Sequence, residues 1–156
     1  MSHTFYIYHT PLGALSLEAD DLGLTRIAFG KTQLRGEFKP STYTNNAATQ
    51  IQEYLAKKRN VFSIPIHPEG SPFQTHVWKT LENIPYGETR SYKDIATLIG
   101  NVDSYRAVGS AINKNPLPIV IPSHRAVNSS GKVSANTDRT KSFLLDLERS
   151  DDHQSS

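Results

Sequence analysis

The stretch Asn115-Pro116-Leu117-Pro118-Ile119-Val120-Ile121-Pro122-Ser123-His124-Arg125-Ala126-Val127 decides how this chain reads. Its three prolines exclude a regular helix and restrict the backbone. An apolar run lies between them, and Ser, His and Arg follow at once. A polar cluster at the end of a rigid apolar segment suits a presented site. Upstream, a helix is expected from near Asp103 or Ser104. Ala107, Val108, Ala111 and Ile112 recur at i, i+1, i+4 and i+5, a core-facing stripe. Arg106, Gly109, Ser110 and Asn113 form the opposite stripe. Gly109 costs a helix about 1 kcal/mol relative to alanine. Close approach of another surface compensates for that cost; by spacing alone, a DNA groove and a second helix are equal candidates.

Further upstream, Ser91 starts a helix with Asp94 in the capping-box position and Tyr92, Ile95, Leu98 and Ile99 as its apolar residues. Gly100 is placed to cap its end. Two short helices joined by a glycine turn read as a helix-turn-helix, with a plain helical hairpin as the alternative. Before them, Ser71, Pro72 and Gln74 open a helix whose buried face is Phe73, Val77, Trp78 and Leu81, and Pro85-Tyr86-Gly87 ends it. Residues 67–71 read as a turn-rich linker. The first half is different in kind. Residues 4–30 alternate as a three-stranded meander with turns at Thr10–Gly13 and Asp20–Gly23, Asn45–Arg59 has helical spacing, and Val61–Ile66 reads as a further strand.

Composition narrows the function classes. The chain has 156 residues, 37% hydrophobic, with a formal net charge of +2. A charge of that size permits nucleic-acid binding without requiring it. No apolar run approaches the ~18 residues of a membrane span. The start, Met1–Tyr8, has no basic region followed by an apolar stretch, so a cytoplasmic location is expected. There is no cysteine, which excludes disulfides, thiolate metal sites and a cysteine nucleophile. No two histidines stand at i, i+3 or i, i+4, so no metal and no cofactor are expected.

Residues 73–149 resemble the C-terminal domain of O6-alkylguanine-DNA alkyltransferases. The signature of that family is Pro-Cys-His-Arg after an Asn-Pro and an apolar run; here it reads Pro122-Ser123-His124-Arg125. Pro85-Tyr86-Gly87-Glu88-Thr89, Ser91-Tyr92, Arg106-Ala107-Val108-Gly109 and Asn115-Pro116 are similar as well. The resemblance implies an α+β fold in two subdomains. The first, 1–68, is a small N-terminal antiparallel sheet with one helix, ribonuclease H-like. The second, 71–149, is a helical, winged helix-turn-helix-like C-terminal domain, and 150–156 is a disordered tail.

The resemblance also implies roles. Arg106 is the finger that fills the gap left by a flipped nucleotide, since the lesion atom cannot be reached inside the stack. Tyr92 crowds the adjacent phosphate, and Gly109 and Ser110 admit the sugar-phosphate wall, which settles the choice above in favour of DNA. Asn115 is a hinge, and Ser123 holds the acceptor position. His124, through a water, and Glu148 polarise the nucleophile, and Arg125 fixes local structure. Taken alone, Tyr92 reads as a core aromatic, His124 as a buried histidine, and Glu148 as a solvated carboxylate. The implied partner is double-stranded DNA containing O6-alkylguanine, with excision-repair proteins beyond it, no membrane, and a monomeric state.

Serine changes the chemistry. The family transfers an alkyl group to a thiolate, and a thiol's pKa near ~8.5 is readily lowered. A hydroxyl is a far weaker acid and attacks saturated carbon poorly. Serine-hydrolase chemistry needs an oxyanion hole, and no Gly-x-Ser-x-Gly is present. The expectation is a protein that binds the lesion without accepting the alkyl group. A transferase inactivated by a Cys-to-Ser replacement, a general DNA-binding module and a purely structural domain are the alternatives. A second departure is Lys132–Asp138, which lacks the glycines of the family's loop over the flipped base. Two departures together favour natural divergence, as in the cysteine-lacking alkyltransferase-like proteins.

Overall fold

The computed structural model describes residues 1–132 and 139–150. The chain divides into two compact units, Met1–Glu69 and Gly70–Ser156. Strands and helices in the first and helices in the second make the fold α+β.

In the first unit, strands β1 (Thr4–Thr10), β2 (Gly13–Ala19) and β3 (Leu24–Phe29) form the expected antiparallel meander. The sequence pattern missed a fourth strand, β4 (Glu37–Phe38), which pairs parallel to β1 and completes the order β3-β2-β1-β4. Two residues carry no periodicity, so β4 has no signal of its own. Helix α1 spans Thr42–Leu55, earlier at both ends than the 45–59 expected from spacing. Ser41 and Thr44 cap it reciprocally, and threonine in the N3 position hid that box from a search for Glu or Gln. Lys57, at φ 62, turns the chain left-handed just beyond the end. Ile51 and Tyr54 on α1, with Leu15, Leu17 and Leu24 from the sheet, are fully buried.

Val61–Ile66 is not a strand. It touches the sheet through a single bridge, Leu24 to Ile66, flanked by Leu24 N donating to Pro65 O (3.0 Å) and His67 N to Leu24 O (2.7 Å). Pro65 has no N–H to extend the ladder. Gly23 is required beneath it, because a Cβ there would lie 2.7 Å from Pro65 O.

The second unit opens with α2 (Pro72–Glu82), capped by Ser71 and Gln74 as expected. The two-residue strand β5 (Arg90–Ser91) leads into α3 (Tyr92–Leu98), capped by Ser91 and Asp94. After Gly100 (φ 78) and a 3-10 turn over Val102–Ser104 comes α4 (Tyr105–Asn113). A second 3-10 turn, Ser123–Arg125, precedes β6 (Ala126–Val127), which pairs parallel to β5, and α5 (Arg139–Arg149) closes the unit. Val77, Trp78, Leu81, Ile95, Val108, Ile112 and Leu144 build the core. Trp78 Nε1 donates to Ala111 O at 2.9 Å, tying α2 to α4.

Not every apolar position is buried, and Phe73, expected on the buried face of α2, is half-buried. Leu98 is exposed, at the last residue of α3, while Ala96 takes the buried position. Ala107 is exposed too, leaving Val108, Ala111 and Ile112 as the buried stripe of α4. An i, i+1 pair spreads over 100° of helix surface, and Ala107 lies on its outer margin. Among the described residues no helix is long and apolar enough to cross a membrane. The expected tail beyond Ser150 and all but Lys132 of the segment 132–138 lie outside the described residues.

Candidate functional site

The segment between α4 and β6 is fixed by its own backbone. Leu117, Ile119 and Ile121 are fully buried, and Ile121 N closes a turn on Leu117 O at 2.8 Å. Ile119 sits at φ 78, a region that costs a β-branched residue of order 1–3 kcal/mol. Asn115 spans the segment: its Oδ1 accepts from Leu117 N and its Nδ2 donates to Ile121 O, both at 2.8 Å. Ser123 N donates to the same Ile121 carbonyl at 2.7 Å. One amide side chain at the end of α4 is thus linked through a single carbonyl to Ser123.

Ser123, His124, Arg125 and Glu148 are all buried. Several donors converge on Glu148. Its Oε1 accepts from Gly87 N (3.0 Å) and Arg125 Nε (2.9 Å), and its Oε2 from Arg125 Nη2 (2.9 Å) and His124 Nε2 (2.6 Å). Arg125 Nη1 donates to Ile84 O at 2.6 Å. The Arg125–Glu148 contact is a bidentate fork, the geometry that makes such pairs strong. Gly87, at φ 80, occupies the third position of a turn closed by Glu88 N on Pro85 O (3.1 Å), which aims its N–H at Glu148.

Burial holds the His124 imidazole below its ordinary pKa, against the pull of Glu148, and the charges of Arg125 and Lys141 push the same way as burial. The His124–Glu148 contact is therefore a hydrogen bond from a neutral ring rather than an ion pair. Neutral histidine has one N–H; with that proton on Nε2 facing the carboxylate, Nδ1 is the basic nitrogen. The unit holds a buried histidine whose Nε2 faces Glu148, directly beside Ser123 in the chain.

The remaining residues singled out in the sequence lie on α3 and α4. Arg106 and Ser110 are exposed on α4, and Gly109 is half-buried between them. A Cβ built on Gly109 would meet only Tyr92 Cδ2, at 4.0 Å. Among the described residues nothing crowds the glycine closer than that, so packing among them does not account for it. Sequence reasoning missed Gly87 N and Ile84 O as partners in the buried cluster. It also missed Lys93, whose Nζ lies 5.7 Å from the centroid of the Tyr105 ring. The Pro-Tyr-Gly turn was the available signal for Gly87.

Among the described residues, His3, Asp20 and Glu69 in the first unit place donor atoms within 4.8 Å of one another. Asp20 already accepts from Leu22 N, Gly23 N and His67 Nδ1, and Glu69 is engaged by Arg35. Both carboxylates are thus already held by groups of the chain itself.

A buried Ser-His-Arg turn, a carboxylate hub and a helix-turn-helix define a class, the DNA-binding domain of 6-O-methylguanine DNA methyltransferase, whose family model matches residues 72–150. The ribonuclease-like domain of the same proteins matches residues 3–68. The chain belongs to the 6-O-methylguanine DNA methyltransferase family. It is 43% identical to the methylated-DNA–protein-cysteine methyltransferase of Methanosarcina barkeri, covering 91% of this chain and 94% of that protein. It is 41% identical to the constitutive enzyme of Bacillus subtilis, covering 90% and 92%. It superposes on the crystal structure of Mycobacterium tuberculosis OGT in complex with DNA with a TM-score of 0.85 at 34% identity, covering 94% of this chain and 92% of that one.

Proposed function

We propose that this chain binds O6-alkylguanine in duplex DNA by flipping the nucleotide, and that it does not accept the alkyl group. The observation that carries the reading is Ser123 in the acceptor position, buried beside a His124–Glu148 pair. That pair is suited to draw a proton from a thiol through a bridging water. It is not suited to ionise a hydroxyl, because burial makes His124 a weaker base than usual. A thiolate is present in a useful fraction near neutral pH, whereas an alkoxide is not. Binding survives, since recognition uses other residues. Arg106 fills the gap in the duplex, Tyr92 presses the neighbouring phosphate, and Gly109 and Ser110 let the backbone come close. Asn115 couples α4 to the acceptor turn, and Arg125 holds Glu148 in place. DNA is the partner that a solved relative was crystallised with. A protein that holds a lesion without removing it needs a second activity, and excision-repair proteins are the class that supplies one.

The test is equilibrium binding to a duplex carrying O6-methylguanine and to the same duplex with guanine, at matched salt. A preference of roughly tenfold, about 1.4 kcal/mol, supports lesion reading. Equal affinities leave a general DNA-binding module, and no affinity removes the proposal. A second reading is a methyltransferase inactivated by Cys-to-Ser replacement, favoured by methyltransferase relatives that match over nine-tenths of the chain. Ser123→Cys decides between them: stoichiometric methyl uptake at residue 123 supports the second reading, and none supports divergence.

A further inference from the structure

The outer surface of α3 and α4 carries a feature that the roles above leave unused. Tyr105, the first residue of α4, is 39% exposed, and no hydrogen bond to its hydroxyl occurs among the described residues. Lys93, in the first turn of α3, is exposed and holds its ammonium 5.7 Å from the Tyr105 ring centroid. Among the described residues Lys93 has no carboxylate partner; the neighbouring Asp94 is turned back to accept from Ser91 N at 3.1 Å. A free lysine samples many rotamers, so a cation held over a ring is a cation with a direction. Such contacts are worth about 0.5–1 kcal/mol at exposed sites, enough to bias the rotamers without satisfying the charge.

The pair lies within the proposed DNA surface rather than apart from it. Lys93 follows Tyr92 in the chain, and Tyr105 precedes Arg106. Tyr92 itself borders Gly109, 4.0 Å from where a Cβ would stand. Two contacts between α3 and α4, Tyr92 with Gly109 and Lys93 with Tyr105, therefore run side by side. A helix seam that presents a glycine to the sugar-phosphate wall presents the adjacent ammonium to the same backbone.

We infer that Lys93 binds a phosphodiester of duplex DNA next to the flipped nucleotide, and that the Tyr105 ring is its positioning residue. This inference rests on the DNA-binding reading above and names a further contact of that interface. An ammonium on a phosphate releases one condensed counterion, which gives the contact a signature that a merely structural residue lacks. Phenylalanine in place of Tyr105 keeps the ring face and the direction of the ammonium, whereas leucine does not.

The experiment measures affinity for the O6-methylguanine duplex from about 50 to 300 mM salt, for wild type, Lys93→Ala, Tyr105→Phe, Tyr105→Leu and the double variant Lys93→Ala/Tyr105→Leu. Loss of one phosphate contact lowers the slope of log K against log salt by about 0.9, which weakens binding by roughly fivefold to tenfold at 0.1 M salt. Lys93→Ala is expected to show that change, Tyr105→Phe to retain the wild-type slope, and Tyr105→Leu to lose part of it. The double variant is expected to be no weaker than Lys93→Ala. Circular-dichroism melts confirm that each variant is folded. An unchanged slope in Lys93→Ala, alongside weakened binding by Arg106→Ala, overturns this inference and leaves the DNA-binding reading intact. Additive effects in the double variant overturn the role of Tyr105. A wild-type protein that does not bind DNA removes both.

Discussion

Replacing Gly109 with alanine separates the stability of α4 from its function. Glycine inside a helix is about 0.5–1 kcal/mol less favourable than alanine, through the freedom it loses on folding. Among the described residues the added Cβ meets Tyr92 Cδ2 alone, at 4.0 Å, an ordinary van der Waals distance that does not offset the gain. The variant is expected to be more stable by about 0.5–1 kcal/mol, or roughly 1–4 °C in Tm for a chain of this size. Binding should move the other way. A methyl group forced into a close-packed contact costs about 1–3 kcal/mol, a weakening of roughly 5-fold to 150-fold. Thermal melts followed by circular dichroism read the first quantity, and fluorescence anisotropy with a lesion duplex reads the second. A rise in Tm with unchanged affinity refutes the argument that Gly109 admits DNA. A fall in Tm refutes the account of its surroundings.

Arg106→Ala should weaken lesion binding without changing the denaturant midpoint; an unchanged affinity in anisotropy removes the finger assignment. Glu148→Ala strands the buried Arg125 charge and the Gly87 N–H, and is expected to destabilise the protein by about 3–5 kcal/mol; a loss under about 1 kcal/mol in urea unfolding would mean the hub is not what holds the turn. The pH dependence follows from His124, which is neutral when folded because its pKa is lowered, whereas the unfolded chain takes up the proton near pH ~6.5. Its contribution is complete above pH ~6.5 and is lost as pH falls toward the folded value, with a limiting slope of about 1.4 kcal/mol per pH unit. That slope should vanish in His124→Asn, and its persistence there would assign it to other groups. A separate loss is expected below pH ~4, where Glu18 and Asp20 protonate. Burial opposes their ionisation, but Arg35 on Glu18, and backbone N–H groups with His67 on Asp20, hold both carboxyls below their ordinary values.

Local signals were legible wherever the cause was local. The caps at Ser71 and Ser91 satisfy orphan N–H groups within one turn, so three residues announce each helix. The hairpin strands alternate with period two and end at their glycine turns. Val61–Ile66 carries the same alternation and fails because Pro65, on the side facing the edge strand β3, has no N–H to carry the ladder past the one bridge. Strand β4 is stabilised entirely by its partner, through Glu37 N on His3 O (3.1 Å) and Lys39 N on Phe5 O (3.0 Å). The buried cluster was legible only as residue types. Glu148 looks like a surface carboxylate on α5 until Arg125, 23 positions away, and Gly87, 61 positions away, converge on it. Resemblance named the participants; long-range packing made the hub.

The short parallel ribbon of β5 and β6 has a mechanical consequence. Ser91 pairs with Val127 at the threshold of α3, and Asn115 grips the acceptor turn from the end of α4. Both α3 and α4, the helices of the proposed DNA surface, are thereby bolted to the same thirteen-residue segment, from opposite ends. A surface fastened in two places acts as a stiff template, so in the proposed complex the deformation falls on the duplex. The work of bending then depends on the steps flanking the lesion, and flexible pyrimidine–purine steps such as TA and CA are the easiest to open. Under the proposed function, the bases flanking the lesion then enter binding through the ease of opening the duplex, without being contacted themselves.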